Sequence, residues 1–227
     1  MSISDNLLEI RRLIAAAAVR AGRDPASVRL VAVSKTKSAA MVDEAALSGQ
    51  LLFGENYVQE FAAKAAAVRE PVEWHFIGAL QSNKVRQLAG LVTMIHSVDR
   101  LSLAEEIDRQ WGKLGKRCDI LIQVNIAGEA TKSGTTGEEL ADLVRRVAKL
   151  PHLRIRGLMT MPPFFDDPDA ARPYFRQLKE LSARIADERI PGVAMDELSM
   201  GMSGDFEAAV EEGATLVRIG SAIFGMR

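Results

Sequence analysis

The sequence predicts an α/β fold, a single (β/α)8 TIM-type barrel with an extra N-terminal helix, spanning residues 1–227. Eight short apolar runs alternate with longer stretches of helical spacing, the pattern of parallel strands joined by right-handed crossovers. A chain of 227 residues suits one such barrel. No linker, repeat or low-complexity segment divides it. An open, doubly wound sheet shares the alternation, but eight repeats favour closure.

The chain opens on a helix. Ile10, Leu13, Ile14, Ala17, Ala18 and Ala21 recur at helical spacing, and Gly22 and Pro25 stop it. Its apolar run Leu13–Val19 is too short to span a bilayer. Asp5 and Glu9 precede that run, where a signal peptide prefers positive charge. Strands are expected at Leu30–Ser34, Leu51–Gly54, Trp74–Gly78, Met94–Ser97, Ile120–Asn125, Ile155–Thr160, Met195–Ser199 and Leu216–Ile219. Between them, Leu101–Leu114 reads as a helix, as do Leu140, Leu143, Val144 and Val147. The second of these starts on a capping box, Thr136 with Glu139, and ends before Pro151. Two long loops are expected at the C-terminal face, where barrels carry function: Ala127–Gly137, and the segment marked by Pro162, Pro163 and Pro168.

Composition excludes several classes. The formal net charge is −1, so no global basic field attracts nucleic acid, and Lys84 and Arg86 read as a solvated helix face. Cys118 is the only cysteine, which rules out an internal disulfide and a multi-cysteine metal site. It reads as a buried strand-edge residue, and nothing nearby argues for a reactive thiolate. His75, His96 and His152 lack metal-ligand spacing. The expectation is a cytoplasmic protein with no metal and no membrane partner. A closed barrel with its own helical coat can stand alone, so a monomer is expected.

Three features carry chemistry. Ser34-Lys35-Thr36-Lys37 follows the first strand, which puts a lysine amine at the barrel mouth. A partly desolvated amine loses its proton more readily and can attack an aldehyde to form an imine. Ser199-Met200-Gly201-Met202-Ser203-Gly204 follows the seventh strand, and Gly220-Ser221 the eighth. Barrels often bind phosphate in these two loops, with small residues letting backbone N–H groups approach the anion. Arg218 lies two residues before Gly220, and a buried arginine needs a partner. That partner is either an acceptor nitrogen on a flat ring or a carboxylate such as Asp196 or Glu197. An amine, a phosphate cup and a fixed cation suit a phosphorylated pyridine aldehyde, and equally a sugar-phosphate aldolase with a Schiff-base lysine.

Specific motifs separate these readings. They are Val31–Lys37, Phe53–Glu60, Trp74–Gly78, Leu80–Lys84, Lys132-Ser133-Gly134, Arg156–Met159, Leu198–Ser203 and Val217–Gly220. In this order the chain resembles the pyridoxal-phosphate homeostasis proteins, whose barrel is similar to the N-terminal domain of alanine racemase. The resemblance implies one domain that binds pyridoxal 5′-phosphate (PLP) as a Schiff base on Lys35. It implies that Ser203, Gly204, Gly220 and Ser221 surround the phosphate and that Arg218 faces the pyridine nitrogen. Asn56 and His75 would lie near the ring or the mouth, and Met200 would pack on the ring. Simpler roles are a helix cap for Asn56, a satisfied core histidine for His75 and plain packing for Met200. Ala79 stands where the family commonly has proline, which could loosen the turn after the third strand.

The implied function is intracellular PLP homeostasis, supplying or buffering the cofactor, with PLP-dependent apoenzymes as candidate recipients. No residue is assigned a catalytic role. A guanidinium can only donate, so it keeps a ring nitrogen unprotonated and weakens the cofactor as an electron sink. Racemisation would then need two opposed bases, and Tyr57 and Tyr174 are the only tyrosines. The competing reading is a single-domain amino-acid racemase.

Overall fold

The computed structural model describes residues 2–129 and 133–225. Its strands are β1 (Arg29–Val33), β2 (Leu52–Glu55), β3 (Glu73–Phe76), β4 (Met94–Val98), β5 (Cys118–Gln123), β6 (Leu153–Met159), β7 (Val193–Ser199) and β8 (Leu216–Ile219). They form a closed barrel in sequence order. Neighbours pair in parallel, and β8 returns to β1 through Val31 opposite Arg218. Each expected apolar run overlaps its strand. β5, β6 and β7 each begin two residues earlier than expected, at Cys118, Leu153 and Val193.

The helices are α1 (Ile3–Arg20), α2 (Ala39–Leu47), α3 (Val58–Ala67), α4 (Leu101–Gly112), α5 (Leu140–Val147), α6 (Arg172–Asp187), α7 (Phe206–Glu211) and α8 (Ser221–Phe224). After β3 a 3-10 turn, Ser82–Gln87, stands where the other repeats place an α-helix. The extra helix α1 is capped by Ser2, whose Oγ accepts from the Asp5 amide at 3.1 Å while the Asp5 carboxylate accepts from the Ser2 amide at 3.0 Å. α1 buries Ile3, Leu7, Ile10, Ile14, Ala17 and Ala18. Asn6 Nδ2 ties it to the Ile223 carbonyl in α8 at 2.8 Å. Of the capping box expected before α5 one half forms: the Glu139 amide donates to Thr136 Oγ1 at 3.2 Å. The Thr136 hydroxyl, rather than its amide, donates to the Glu139 carboxylate at 3.0 Å, and the helix itself starts at Leu140. Among the described residues, no helix is long and apolar enough to cross a membrane.

Strand alternation creates two cores. Outward side chains such as Phe53, Trp74, Phe76 and Ile120 pack under the helices. Inward ones, Val31, Leu52, Met94, Leu121, Met159 and Leu216, form a separate apolar plug. The interior also holds polar side chains, since His75, His96, Ser199 and Arg218 are all buried inside it. Gly157 permits the shifted β6–β7 register. Its φ is +154°, and a Cβ there would sit 1.9 Å from the Glu197 carbonyl oxygen. Gly157→Ala is therefore expected to destabilise the barrel by about 1–3 kcal/mol or more, read as a lower urea midpoint with unchanged slope.

Candidate functional site

The C-terminal ends of the strands open into a cavity of about 540 Å³, within the usual range for small-molecule sites. Lys35, Asn56, Ser203, Gly204, Arg218, Gly220 and Ser221 all line it, together with Asp205 and Met202. An apolar wall of Met161, Phe164 and Phe165 comes from the loop after β6. Phe164 is 85% exposed, so this wall is in part an open rim.

The Lys35 turn is clamped on both sides. Ser34 is fully buried, and its Oγ donates to Glu55 Oε1 at 2.7 Å. Lys64 of α3 reaches under the turn: its Nζ donates to the Ser34 carbonyl at 2.6 Å, Glu55 Oε1 at 2.6 Å and Glu60 Oε1 at 2.7 Å. Glu60 also accepts from the Thr36 amide at 2.5 Å. Thr36 has φ +64°, a conformation that a β-branched residue adopts only when its surroundings impose it. Lys37 Nζ ties the far side to the carbonyls of Phe224 and Gly225. Burial holds the Glu55 carboxyl above its ordinary range, against the opposing pull of Lys64 and Ser34.

On the opposite rim, Ser203 and Ser221 meet at 3.3 Å between hydroxyl oxygens, joining the loops after β7 and β8. The Met202 amide donates to Asp205 Oδ1 at 2.6 Å, which closes the Met202–Asp205 turn and leaves Gly204 at its tip. A Cβ on Gly204 would meet nothing within 4 Å, so the backbone there faces open space. Gly220 caps α8, and the first amides of any helix lack acceptors within it. Two small-residue turns thus present backbone donors to one space, an arrangement that suits an anion.

Arg218 is buried at the cavity floor. It donates from Nη1 to Ser199 Oγ at 2.6 Å and from Nη2 to the Thr160 carbonyl at 2.9 Å. The two carboxylates considered as its partners are engaged elsewhere, Asp196 with Arg156 and Glu197 with Arg29. Burial lowers the Arg218 pKa to about 10, with Asp205 pulling the other way, so it stays cationic at neutral pH. Asp205 is itself pushed above the ordinary carboxylate range by burial. Asn56 lines the cavity, and its Oδ1 is buried with no protein partner. A buried acceptor without a donor is costly, so this atom marks a place for a ligand hydrogen bond.

Two expected site residues lie off the cavity lining. Met200 does not face the space in which a ring would lie. Ser199 points into the barrel, so the next residue faces out, and Met200 is fully buried in the core under the helices. Met202 lines the cavity in its place. His75 sits deeper in the barrel than Ile77, which does line the cavity. It is a satisfied interior histidine, with Nδ1 against His96 Nε2 at 2.9 Å and Nε2 against Glu73 Oε1 at 3.2 Å. Sequence reasoning missed Lys64, His96, Ser199 and Asp205. Only Asp205 carried a usable signal, an acidic residue closing a Gly/Ser turn before a helix. Of the Lys132-Ser133-Gly134 motif, Lys132 lies outside the described residues. Cys118 is buried at the start of β5, and burial raises its thiol well above the ordinary value.

The alanine racemase N-terminal domain model matches residues 6–227. The pyridoxal phosphate homeostasis protein of Aquifex aeolicus is 45% identical over 228 residues, covering 100% of this chain and 99% of that protein. The protein of the same name from Pseudomonas aeruginosa is 46% identical, covering 100% and 96%. Among solved structures, PipY of Synechococcus elongatus PCC7942 with PLP bound superposes with a TM-score of 0.86 at 36% identity, covering 99% of this chain and 100% of that one. An unknown protein from Bifidobacterium adolescentis gives a TM-score of 0.92 at 36% identity, covering 98% and 94%.

Proposed function

This chain belongs to the pyridoxal phosphate homeostasis proteins, which carry the alanine racemase N-terminal domain, and from that premise we propose that its single barrel binds PLP and serves intracellular PLP homeostasis. The observation that carries the reading is the convergence of Lys35, the Ser203–Gly204 and Gly220–Ser221 turns and Arg218 on one cavity. The donor set fits the group: an amine for an aldehyde, small-residue turns for a phosphate, and a cation that only donates for a ring nitrogen. Bound PLP would supply an aldehyde that condenses with amines and a ring that draws electrons from them.

Lys35 is the residue we propose to hold it, as a Schiff base, with Asn56 and Met202 beside the ring. Arg218 would keep the ring nitrogen unprotonated, since a guanidinium has no acceptor to offer. Among the described residues no tyrosine lines the cavity to oppose Lys35 as the second base of a racemase. Tyr57 and Tyr174 both lie off the cavity lining, and Tyr174 packs on Phe165 with ring centroids 5.7 Å apart. The reading is therefore a carrier that supplies or buffers PLP, with PLP-dependent apoenzymes as recipients and little turnover of its own. Racemisation of an amino acid at ordinary enzymatic rates by the purified protein would overturn the carrier part.

Borohydride reduction of the PLP-loaded protein followed by peptide mass mapping tests the anchor. The adduct is expected on Lys35, and an adduct confined to another lysine refutes the assignment. Gly204→Ala tests the phosphate cup. The new methyl group meets no protein atom, so stability should hold or rise by about 0.4–1 kcal/mol. PLP affinity should fall about tenfold to a hundredfold, because the methyl group occupies the space through which the phosphate approaches the backbone N–H groups and costs about one hydrogen bond to a charged group. Unchanged affinity by fluorescence titration would move the phosphate away from Gly204.

A further inference from the structure

A chain of hydrogen bonds threads the barrel from its N-terminal face to the cavity. Glu73, the first residue of β3, is 44% exposed at the end of the barrel away from the cavity. Its Oε1 meets His75 Nε2 at 3.2 Å and accepts from Thr93 Oγ1 at 2.8 Å. His75 Nδ1 meets His96 Nε2 at 2.9 Å. His96 Nδ1 meets Ser199 Oγ at 2.9 Å, and Ser199 Oγ accepts from Arg218 Nη1 at 2.6 Å. Between the exposed carboxylate and Arg218, all three linking side chains are buried.

Counting protons leaves one arrangement for neutral rings. The Glu73 carboxylate has only lone pairs, so His75 must carry its proton on Nε2 to donate to it. His75 Nδ1 then has a lone pair and needs a donor, which is His96 Nε2–H. His96 Nδ1 is left as an acceptor, so the Ser199 hydroxyl must donate to it. The Ser199 lone pairs are thereby turned to Arg218. The reverse arrangement sets the bare His75 Nε2 against a carboxylate oxygen, lone pair to lone pair. A doubly protonated ring is disfavoured because burial depresses the pKa of His75 and drives that of His96 far down. Glu73 is held ionised, its pKa lowered to about 2, chiefly by the His75 hydrogen bond and then by Thr93.

We infer that Glu73 is a positioning residue for the cavity: it locks His75 and His96 as Nε2–H tautomers and through Ser199 fixes the Arg218 guanidinium at the floor of the site. The tautomer lock stands on the barrel alone, while its meaning for PLP rests on the function proposed above. Nothing on α3, α4 or the loops of the cavity is needed for it. The surface of the barrel opposite the site thus has a direct mechanical hold on the buried guanidinium at the floor of the site.

Long-range 1H–15N correlation spectra of the ligand-free protein test this without any cofactor. Both rings are expected to show a protonated-type Nε2 and an unprotonated-type Nδ1; an Nδ1–H tautomer at either ring overturns the inference. Glu73→Met removes the acceptor, and the Arg218 side-chain N–H signals are expected to shift or broaden. In Glu73→Gln the amide oxygen can still accept, so the wild-type pattern should return. Arg218 signals unmoved by Glu73→Met, or a Glu73→Gln protein that behaves like Glu73→Met, would also overturn it. Failure of the protein to bind PLP would leave these spectra unaffected and would count against the proposed function alone.

Discussion

Lys35→Ala is expected to abolish the visible absorbance of the PLP-loaded protein while leaving the barrel folded. The turn that presents Lys35 is held by its neighbours rather than by its own side chain: the Ser34 carbonyl by Lys64, the Thr36 amide by Glu60 and Lys37 by the chain end. Truncating a half-buried side chain in such a turn removes the amine and leaves the clamp. Stability should change by no more than about 0.5 kcal/mol, as for substitutions away from core contacts. The phosphate cup and Arg218 remain, so PLP should still bind, weakly and without a covalent link. Absorbance spectra with a denaturation curve on the same sample check both halves. An unchanged band in a folded Lys35→Ala protein would place the link on another amine.

Lys64→Met should produce the largest loss of stability, about 3–5 kcal/mol, the cost of leaving a buried charge without its partner. Lys64 is 5% exposed and the Glu55 side chain not at all, so water cannot replace the ammonium. That loss is a large part of a typical folding free energy of about 5–15 kcal/mol. The deficit should depend on pH in a direction opposite to ordinary acid denaturation. Burial already raises Glu55 above 4.5, and Lys64 is the strongest influence lowering it, so the variant's Glu55 rises further. A carboxyl that binds its proton more tightly folded than unfolded favours the folded state below its unfolded pKa, and that contribution is lost as pH rises through its folded pKa. The variant's deficit should therefore shrink on going from about pH 8 to about pH 5. Urea unfolding of both proteins across that range checks it, and a deficit independent of pH would mean that Glu55 is not the group left uncompensated. The same variant releases the Ser34 carbonyl, so PLP binding should weaken even where the fold survives.

The architecture and the rim of the site were legible because both depend on local pattern. A strand reads as an apolar run wherever it lies, so all eight were found from the sequence. The amine and the two Gly/Ser turns follow immediately after particular strands, and in a parallel barrel the ends of all strands reach the same face. Lys35, Ser203–Gly204 and Gly220–Ser221 could therefore be brought together by counting strands. Lys64 could not, because it belongs to α3 and nothing in its own surroundings says that it reaches beneath the turn after β1.

The barrel floor was decided by closure. His75 and His96 are 21 positions apart, His96 and Ser199 are 103, and Ser199 and Arg218 are 19, yet each pair is within 2.9 Å. The His96–Ser199 contact crosses the barrel from β4 to β7 while the other two join neighbouring strands, and which inward residues meet depends on strand tilt and on the register shifts along β4–β5 and β6–β7. Met200 shows the same limit on a smaller scale: period-two alternation says that neighbours point to opposite sides, but only the inward Ser199, bonded to Arg218, says which of them faces the cavity. Order along the chain thus determines fold and rim, since strand ends converge whatever their stagger, whereas depth within the barrel is a property of the closed sheet that no local window of sequence contains.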